Sequence, residues 1–279
     1  VTNEYTNALK QEGRDLGAFA TSPKYRPPLF RDGEIEQVLG ILKRRRSVLL
    51  VGPEGAGKTS VIYAVAHQLK KQGGREVREF STIQLLSGTK YIGEWQTKLT
   101  SIVRASKKSK TSLYITDAWN LPDVGKTSSS KDNLWDALRP FLDKGEVQLI
   151  GEVTPALLEK VQRAPGFSDL FEIVRIKPLE REQIREVVAA EAKRRDVNLD
   201  GPSCGRVLEL CERFLPASQG PGSALRLLER AEDYGREKDE LGEHEDISPA
   251  FFEKVFSIYS GLPLFVVSRS VVRPVAEIR

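Results

Sequence analysis

The chain has no methionine, only two cysteines and two histidines, and no apolar run that approaches the length of a membrane span. Each shortage closes off a class of function. A helical span needs about 20 successive apolar residues, so no membrane role is expected. Cys204 and Cys211 sit seven apart in a helical pattern, which places them on one helix face rather than in a disulfide. No histidine or further cysteine lies near enough to complete a metal set, so zinc is set aside. The opening residues Val1-Thr2-Asn3-Glu4 lack the layout of a secretory signal, and the expected location is cytoplasmic. Without even an initiator methionine the chain reads as an excised or processed segment; if methionines were dropped from it, some spacings are short by one. Lysine and arginine total 43 against 39 acids, a formal charge of +4. The basic run Lys43-Arg44-Arg45-Arg46 reads as a solvated helix end before a strand rather than as a nucleic-acid patch.

What the chain does have is Gly52-Pro53-Glu54-Gly55-Ala56-Gly57-Lys58-Thr59, a complete phosphate-binding loop. Its context is right. Ser47-Val48-Leu49-Leu50-Val51 suits a buried parallel strand, and Ser60 to Leu69 has helical spacing. A strand that feeds a glycine turn into a helix N-terminus traps anions: backbone N–H groups of 54–58 face the phosphates and the helix dipole favours negative charge. Lys58 would reach the outer phosphates and the Thr59 hydroxyl would ligate Mg²⁺. The candidate nucleotide contacts are therefore Gly52, Pro53, Glu54, Gly55, Ala56, Gly57, Lys58, Thr59 and Ser60, with ATP or ADP and Mg²⁺ as ligands.

Alternating signals predict an α/β fold, a parallel sheet sandwiched by helices, followed by a small all-helical domain. The spacing predicts a helix over Ile35–Leu42, a strand near Val77–Phe80, a helix over Glu94–Ala105, a strand over Leu113–Thr116, a helix over Leu134–Leu142 and a strand over Val147–Ile150. Beyond Pro178 only helical periodicity is found, over Arg181–Arg194, Gly205–Phe214, Ser223–Tyr234 and Pro249–Tyr259. The expected divisions are a polar lead over 1–28, a nucleotide-binding domain over 29–178, a helical domain over 179–259 and a linker over 260–279. Lys126-Thr127-Ser128-Ser129-Ser130-Lys131 reads as a mobile loop.

An ordered set of motifs from Asn7 to Phe265 resembles the first ATPase module of the Clp-type AAA+ unfoldases, the ClpA, ClpB and ClpC group. Gly13-Arg14-Asp15-Leu16 resembles the family's G-R-D-L, Arg31-Asp32-Gly33-Glu34-Ile35 its R-D-E-E-I, and Ile41-Leu42-Lys43-Arg44-Arg45 its I-L-L-R-R. Thr89-Lys90-Tyr91-Ile92-Gly93-Glu94-Trp95 is similar to the K-Y-R-G-E-F pore loop, Leu138 to Val147 to L-K-P-x-L-x-x-G-E-L, and Ser260-Gly261-Leu262-Pro263-Leu264 to T-G-I-P-V. The resemblance implies a P-loop AAA+ fold with a helical lid, a ring-shaped homo-oligomer and a polypeptide substrate gripped by Tyr91. On residue type alone Tyr91 also fits a half-buried tyrosine capping the next helix. Pro28 and Leu29 fall where the family contacts adenine, or serve as linker packing. Arg226, in Gly222-Ser223-Ala224-Leu225-Arg226, falls where a second sensor would face the phosphates; a helix-surface ion pair is the other reading.

The departures weigh as much as the matches. Leu113-Tyr114-Ile115-Thr116-Asp117-Ala118 stands against the family's I-D-E segment, with Thr116 at the metal-associated aspartate and Asp117 at the water-activating glutamate. Asp117 is then the candidate for both the metal and the catalytic role, in a weakened site. If it takes the metal role, Ala118 stands where the base belongs, and general-base help is worth about 10²–10⁴-fold. Ser168-Asp169-Leu170-Phe171 replaces the paired-arginine segment before Phe171, and an absent arginine finger costs about 10³–10⁵ in turnover. Gly151-Glu152-Val153-Thr154 stands where the family has G-A-T-T, so Thr154 is the surviving hydroxyl and the third catalytic candidate beside Thr116 and Asp117. Two functions stay open: a motor that hydrolyses ATP, slowly or with impairment, to thread polypeptide, and a nucleotide-gated structural module that controls oligomer or partner binding. A nucleic-acid remodeller has only the basic runs at Arg44–Arg46 and Lys107–Lys110 behind it, with no interleaved aromatics.

Overall fold

Ser47–Val51 (β2) is buried along its whole length, as a strand covered on both faces must be. It belongs to a six-stranded sheet in the order β1-β3-β4-β5-β2-β6, formed by Arg14–Asp15 (β1), Val77–Phe80 (β3), Ser112–Ile115 (β4), Leu149–Val153 (β5) and Phe171–Arg175 (β6). The β1–β3 pairing is antiparallel and the others are parallel. The computed structural model describes residue 9 and residues 13–22, 25–88, 93–126, 132–218, 220–238 and 247–268. The chain divides into two compact units, the first from residues 1–52 and 58–176, the second from residues 53–57 and 177–279.

In the first unit, Leu16–Ala20 (α1) and Asp32–Lys43 (α2) pack against Lys58–Lys71 (α3). Thr82–Leu86 (α4), Glu94–Ser109 (α5), Leu134–Asp143 (α6), Pro155–Gln162 (α7) and Phe167–Leu170 (α8) complete it. Leu99 and Ile102 of α5, Trp135 and Leu138 of α6, and Leu113, Ile115 and Leu149 of the sheet share one apolar core. Trp135 is 1% exposed, donates from Nε1 to the Pro165 carbonyl at 3.0 Å, and lies against the rings of Phe167 and Phe171. All three tryptophans, Trp95, Trp119 and Trp135, belong to this unit.

Several elements differ from the sequence expectation, and the first bears on the site. The last predicted strand begins at Leu149 rather than Val147 and runs on to Val153, where it pairs with Val51 of β2. Glu152 is consequently inside the strand rather than after it. The strand β6 was not expected at all: Glu172 and Arg175 interrupt its apolar pattern, yet Glu172 has a partner in Arg44 at 2.8 Å. The basic run after α2 is thus tied to β6, with Arg46 also donating to the Asp169 carbonyl. Finally, α5 extends four residues past Ala105, to Ser109.

The second unit is helical: Arg181–Arg194 (α9), Gly201–Phe214 (α10), Pro221–Lys238 (α11), Pro249–Ser260 (α12) and Leu264–Val267 (α13). Side-chain caps fix the starts, Asp200 accepting from Ser203 N at 2.7 Å and Ser248 from Phe251 N at 3.3 Å, each followed within two residues by proline. Gly261, at φ 72°, closes α12 in the left-handed conformation. Cys204 and Cys211 are free and buried on α10. Burial pushes the Cys211 thiol up to about 11, so it stays a protonated core group. Arg206, 7% exposed, bonds Glu253 at 2.8 Å, Glu209 at 3.1 Å and the Val267 carbonyl at 2.6 Å, joining α10, α12 and α13. Among the described residues no helix is long and apolar enough to cross a membrane.

Candidate nucleotide site

The chain leaves β2 at Gly52, whose N–H donates to the Val153 carbonyl at 3.2 Å. A Cβ built on Gly52 would stand 2.4 Å from the Ile176 carbonyl oxygen, so only glycine passes between the strands here. Gly52→Ala is expected to cost about 1–3 kcal/mol through this backbone clash, read as a lower midpoint in urea. Gly55 and Gly57 then take φ values of 77° and 93°, a left-handed turn that aims the chain into α3 at Lys58.

At the head of α3, Lys58 Nζ donates to the Gly52 carbonyl at 2.9 Å. Thr59 Oγ1 lies 3.0 Å from both carboxylate oxygens of Glu152. Ser60 follows, exposed, while Ala56 is fully buried. Tyr114 on β4 is hydrogen-bonded through its hydroxyl to the same carboxylate. Burial raises the Glu152 carboxyl above the ordinary carboxylate range; the Thr59 hydrogen bond, the Lys58 ammonium and the Tyr114 hydroxyl oppose that shift. Burial and the neighbouring Glu152 charge also push the Tyr114 hydroxyl well above its usual value.

Asp117 reaches the start of α4. One of its oxygens accepts from Thr82 N at 2.8 Å and the other from Thr82 Oγ1, so its carboxylate is committed to the start of α4. Thr116 continues the sheet ladder, its N–H donating to the Phe80 carbonyl at 3.0 Å. Ala118 is buried, and a Cβ on Gly151 would come within 2.8 Å of its methyl. Thr154 is the N-cap of α7, accepting from Leu157 N at 3.4 Å. Its side-chain oxygen is spent on that cap.

Residues 53–57 cluster with the second unit, where Glu54 bridges to Ser218 and the Gly55 carbonyl accepts from Gly222 N at 3.2 Å. Arg226 lies one turn further along α11, exposed, with a guanidinium nitrogen 3.5 Å from where a Cβ on Gly222 would be. Pro28 is half-buried and Leu29 is exposed. Tyr91 lies outside the described residues. The structure thus brings Lys58 and Thr59 together with Glu152 and Tyr114, neither of which the sequence singled out as a site residue. The one legible signal was an acid at position 152, inside a segment where the resembling family has a small residue. Among the described residues no group of three or more His, Cys, Asp or Glu could hold a metal. A hydroxyl and one carboxylate at a helix N-terminus fit Mg²⁺ that keeps waters and phosphate oxygens as its other ligands, with the Lys58 ammonium left for the phosphates.

Comparison with known proteins agrees with this geometry. The model of the AAA family, the ATPase family associated with various cellular activities, matches residues 48–163. The chaperone protein ClpB of Meiothermus ruber is 27% identical over 239 residues, covering 81% of this chain and 28% of that protein. ClpB of Nitratidesulfovibrio vulgaris is 28% identical over 239 residues, with 80% and 28% covered. The chain therefore spans between a quarter and a third of the length of these relatives. A closed-state cryo-EM reconstruction of Hsp104 with ATPγS and FITC-casein superposes with a TM-score of 0.78 at 22% identity, over 94% of this chain and 47% of that one. The S. cerevisiae Hsp104–ADP complex gives 0.75 at 21% identity, with the same coverage. The loop and the strand order agree with these likenesses: residues 48–163 match the AAA family, and the chain is similar to ClpB chaperones over four-fifths of its length.

Proposed function

We propose that this chain is the ATP-binding module of a Clp-like protein-remodelling assembly, cytoplasmic and working as a ring of AAA+ modules on polypeptide. The observation that carries the reading is the strand–glycine turn–helix with Lys58 and Thr59 at its exit and a carboxylate on the Thr59 hydroxyl. In this reading residues 29–178 bind the nucleotide, 179–259 form the helical lid, and 1–28 and 260–279 are connecting segments. Lys58 exchanges its own loop carbonyl for phosphate oxygens, and backbone N–H groups of 54–58 hold the anion. Mg²⁺, when bound, neutralises phosphate charge. That the relatives include Hsp104 in a complex with casein supports a polypeptide substrate, gripped through Tyr91.

A second reading, the nucleotide-gated structural module, is favoured by a specific observation. Both oxygens of Asp117 accept from Thr82, and Ala118 follows it, so this segment offers one carboxylate, already hydrogen-bonded, where the resembling family has two acids. Titration with ATP and ADP, together with multiple-turnover ATPase, tests both. The chain is expected to bind both nucleotides, and Lys58→Ala to weaken binding by about 10–100-fold, the worth of a charge-assisted phosphate contact. Turnover above the Lys58→Ala background favours the motor; equal rates favour the gated module. No uptake of either nucleotide overturns both.

A further inference from the structure

We propose that Glu152, reaching from β5, supplies the carboxylate that holds the nucleotide's divalent cation, in place of the acid missing from position 116 on β4. This rests on the nucleotide reading above. The β4–β5 register pairs Tyr114 with Ile150 and Ile115 with Gly151. Carried one step past the end of β4, that register sets position 116 level with Glu152. Strand alternation turns Ile150 and Glu152 to the sheet face that Tyr114 occupies, and neighbouring strands lie about 4.8 Å apart. The carboxylate has therefore moved one strand sideways at the same level of the sheet.

Its surroundings match the role. The Thr59 hydroxyl, at 3.0 Å from both carboxylate oxygens, has one proton to give and lone pairs to spare. Donating to Glu152 leaves those lone pairs for a cation. The carboxylate has about four acceptor sites; Thr59 and Tyr114 occupy part of this capacity, leaving room for the cation or its waters. Asp117 accepts from Thr82 through both oxygens at the start of α4, whereas the Glu152 carboxylate lies on the Thr59 hydroxyl itself. Mg²⁺ ordinarily takes only one or two protein carboxylates together with phosphates and water, so a single glutamate suffices.

The test uses the 279-residue chain with ADP and Mn²⁺, the bound metal counted by electron paramagnetic resonance and ADP binding measured separately in EDTA. Glu152→Gln is expected to lower Mn²⁺ affinity in the ADP complex by about 10–100-fold. In EDTA it should bind ADP at least as tightly as the parent chain, because a negative charge near the phosphates is gone. Moving the acid back, with Thr116→Asp in a Glu152→Ala background, should restore metal binding. Unchanged Mn²⁺ affinity in Glu152→Gln, or the loss appearing in Asp117→Asn instead, overturns the assignment. If Glu152→Gln fails to fold by circular dichroism, the transferred acid decides, and no recovery counts against it. A parent chain that binds no ADP even in EDTA removes the nucleotide reading itself, a result distinct from failure of the metal assignment alone.

Discussion

Arg206→Ala is expected to destabilise the helical unit by about 3–5 kcal/mol, the cost of breaking a buried ion pair by removing one partner. The guanidinium joins α10, α12 and α13 through a single side chain, bonding Glu253, Glu209 and the Val267 carbonyl. Truncation leaves the Glu253 carboxylate buried without its cation and a main-chain carbonyl without its donor. Exposed ion pairs elsewhere in this unit, such as Arg185 with Glu182 at 3.8 Å, are solvated and worth little. Arg206→Met combined with Glu253→Leu should recover most of the loss, since well-packed apolar replacements of a buried pair are often neutral or better. Urea titration followed by far-UV circular dichroism checks both variants. A shift of less than about 1 kcal/mol for Arg206→Ala would mean that water reaches the pair and that it is no keystone.

Trp135→Ala should cost a similar amount, about 3–5 kcal/mol, in the first unit. The indole is fully enclosed, its ring centroid 4.7 Å from Phe167 and 6.2 Å from Phe171. Its removal opens a cavity among side chains contributed by the sheet and by α6 and α8, and strips the Pro165 carbonyl of its donor. Trp135→Phe separates the two effects: it keeps most of the ring volume and should lose only about 1–2 kcal/mol for the missing hydrogen bond and the smaller ring. Equal losses in the two variants would show that the indole N–H, rather than packing, dominates.

How much of this was legible beforehand depends on whether a feature is local. Arg181–Arg194 and Val77–Phe80 were read with the boundaries they have, because helical periodicity and a short apolar run are properties of neighbouring residues. The helix α7 is not among the predicted elements although Thr154-Pro155 is a cap followed by proline at the first turn; the resemblance sets the threonine among the catalytic candidates, and the structure shows it as the cap. The strands β1 and β6 were missed for a different reason. Two residues at 14–15 form a strand only because β3 lies beside them, and Phe171–Arg175 only because β2 does. The same non-locality hid Glu152. A carboxylate displaced along the chain can be found by alignment, but one displaced across a sheet is visible only when the register between strands is known. Lys58 and Thr59 were legible because the phosphate loop is a contiguous motif; their acidic companion was not, because it comes from a different strand.

The placement of all three indoles in one unit has a practical consequence. Intrinsic fluorescence excited at the red edge reports solely on the sheet-bearing part of the molecule, whereas ellipticity reports on both. Coincident curves from the two signals would mean that the units melt as one body; separated curves would give each unit its own transition from a single unlabelled sample.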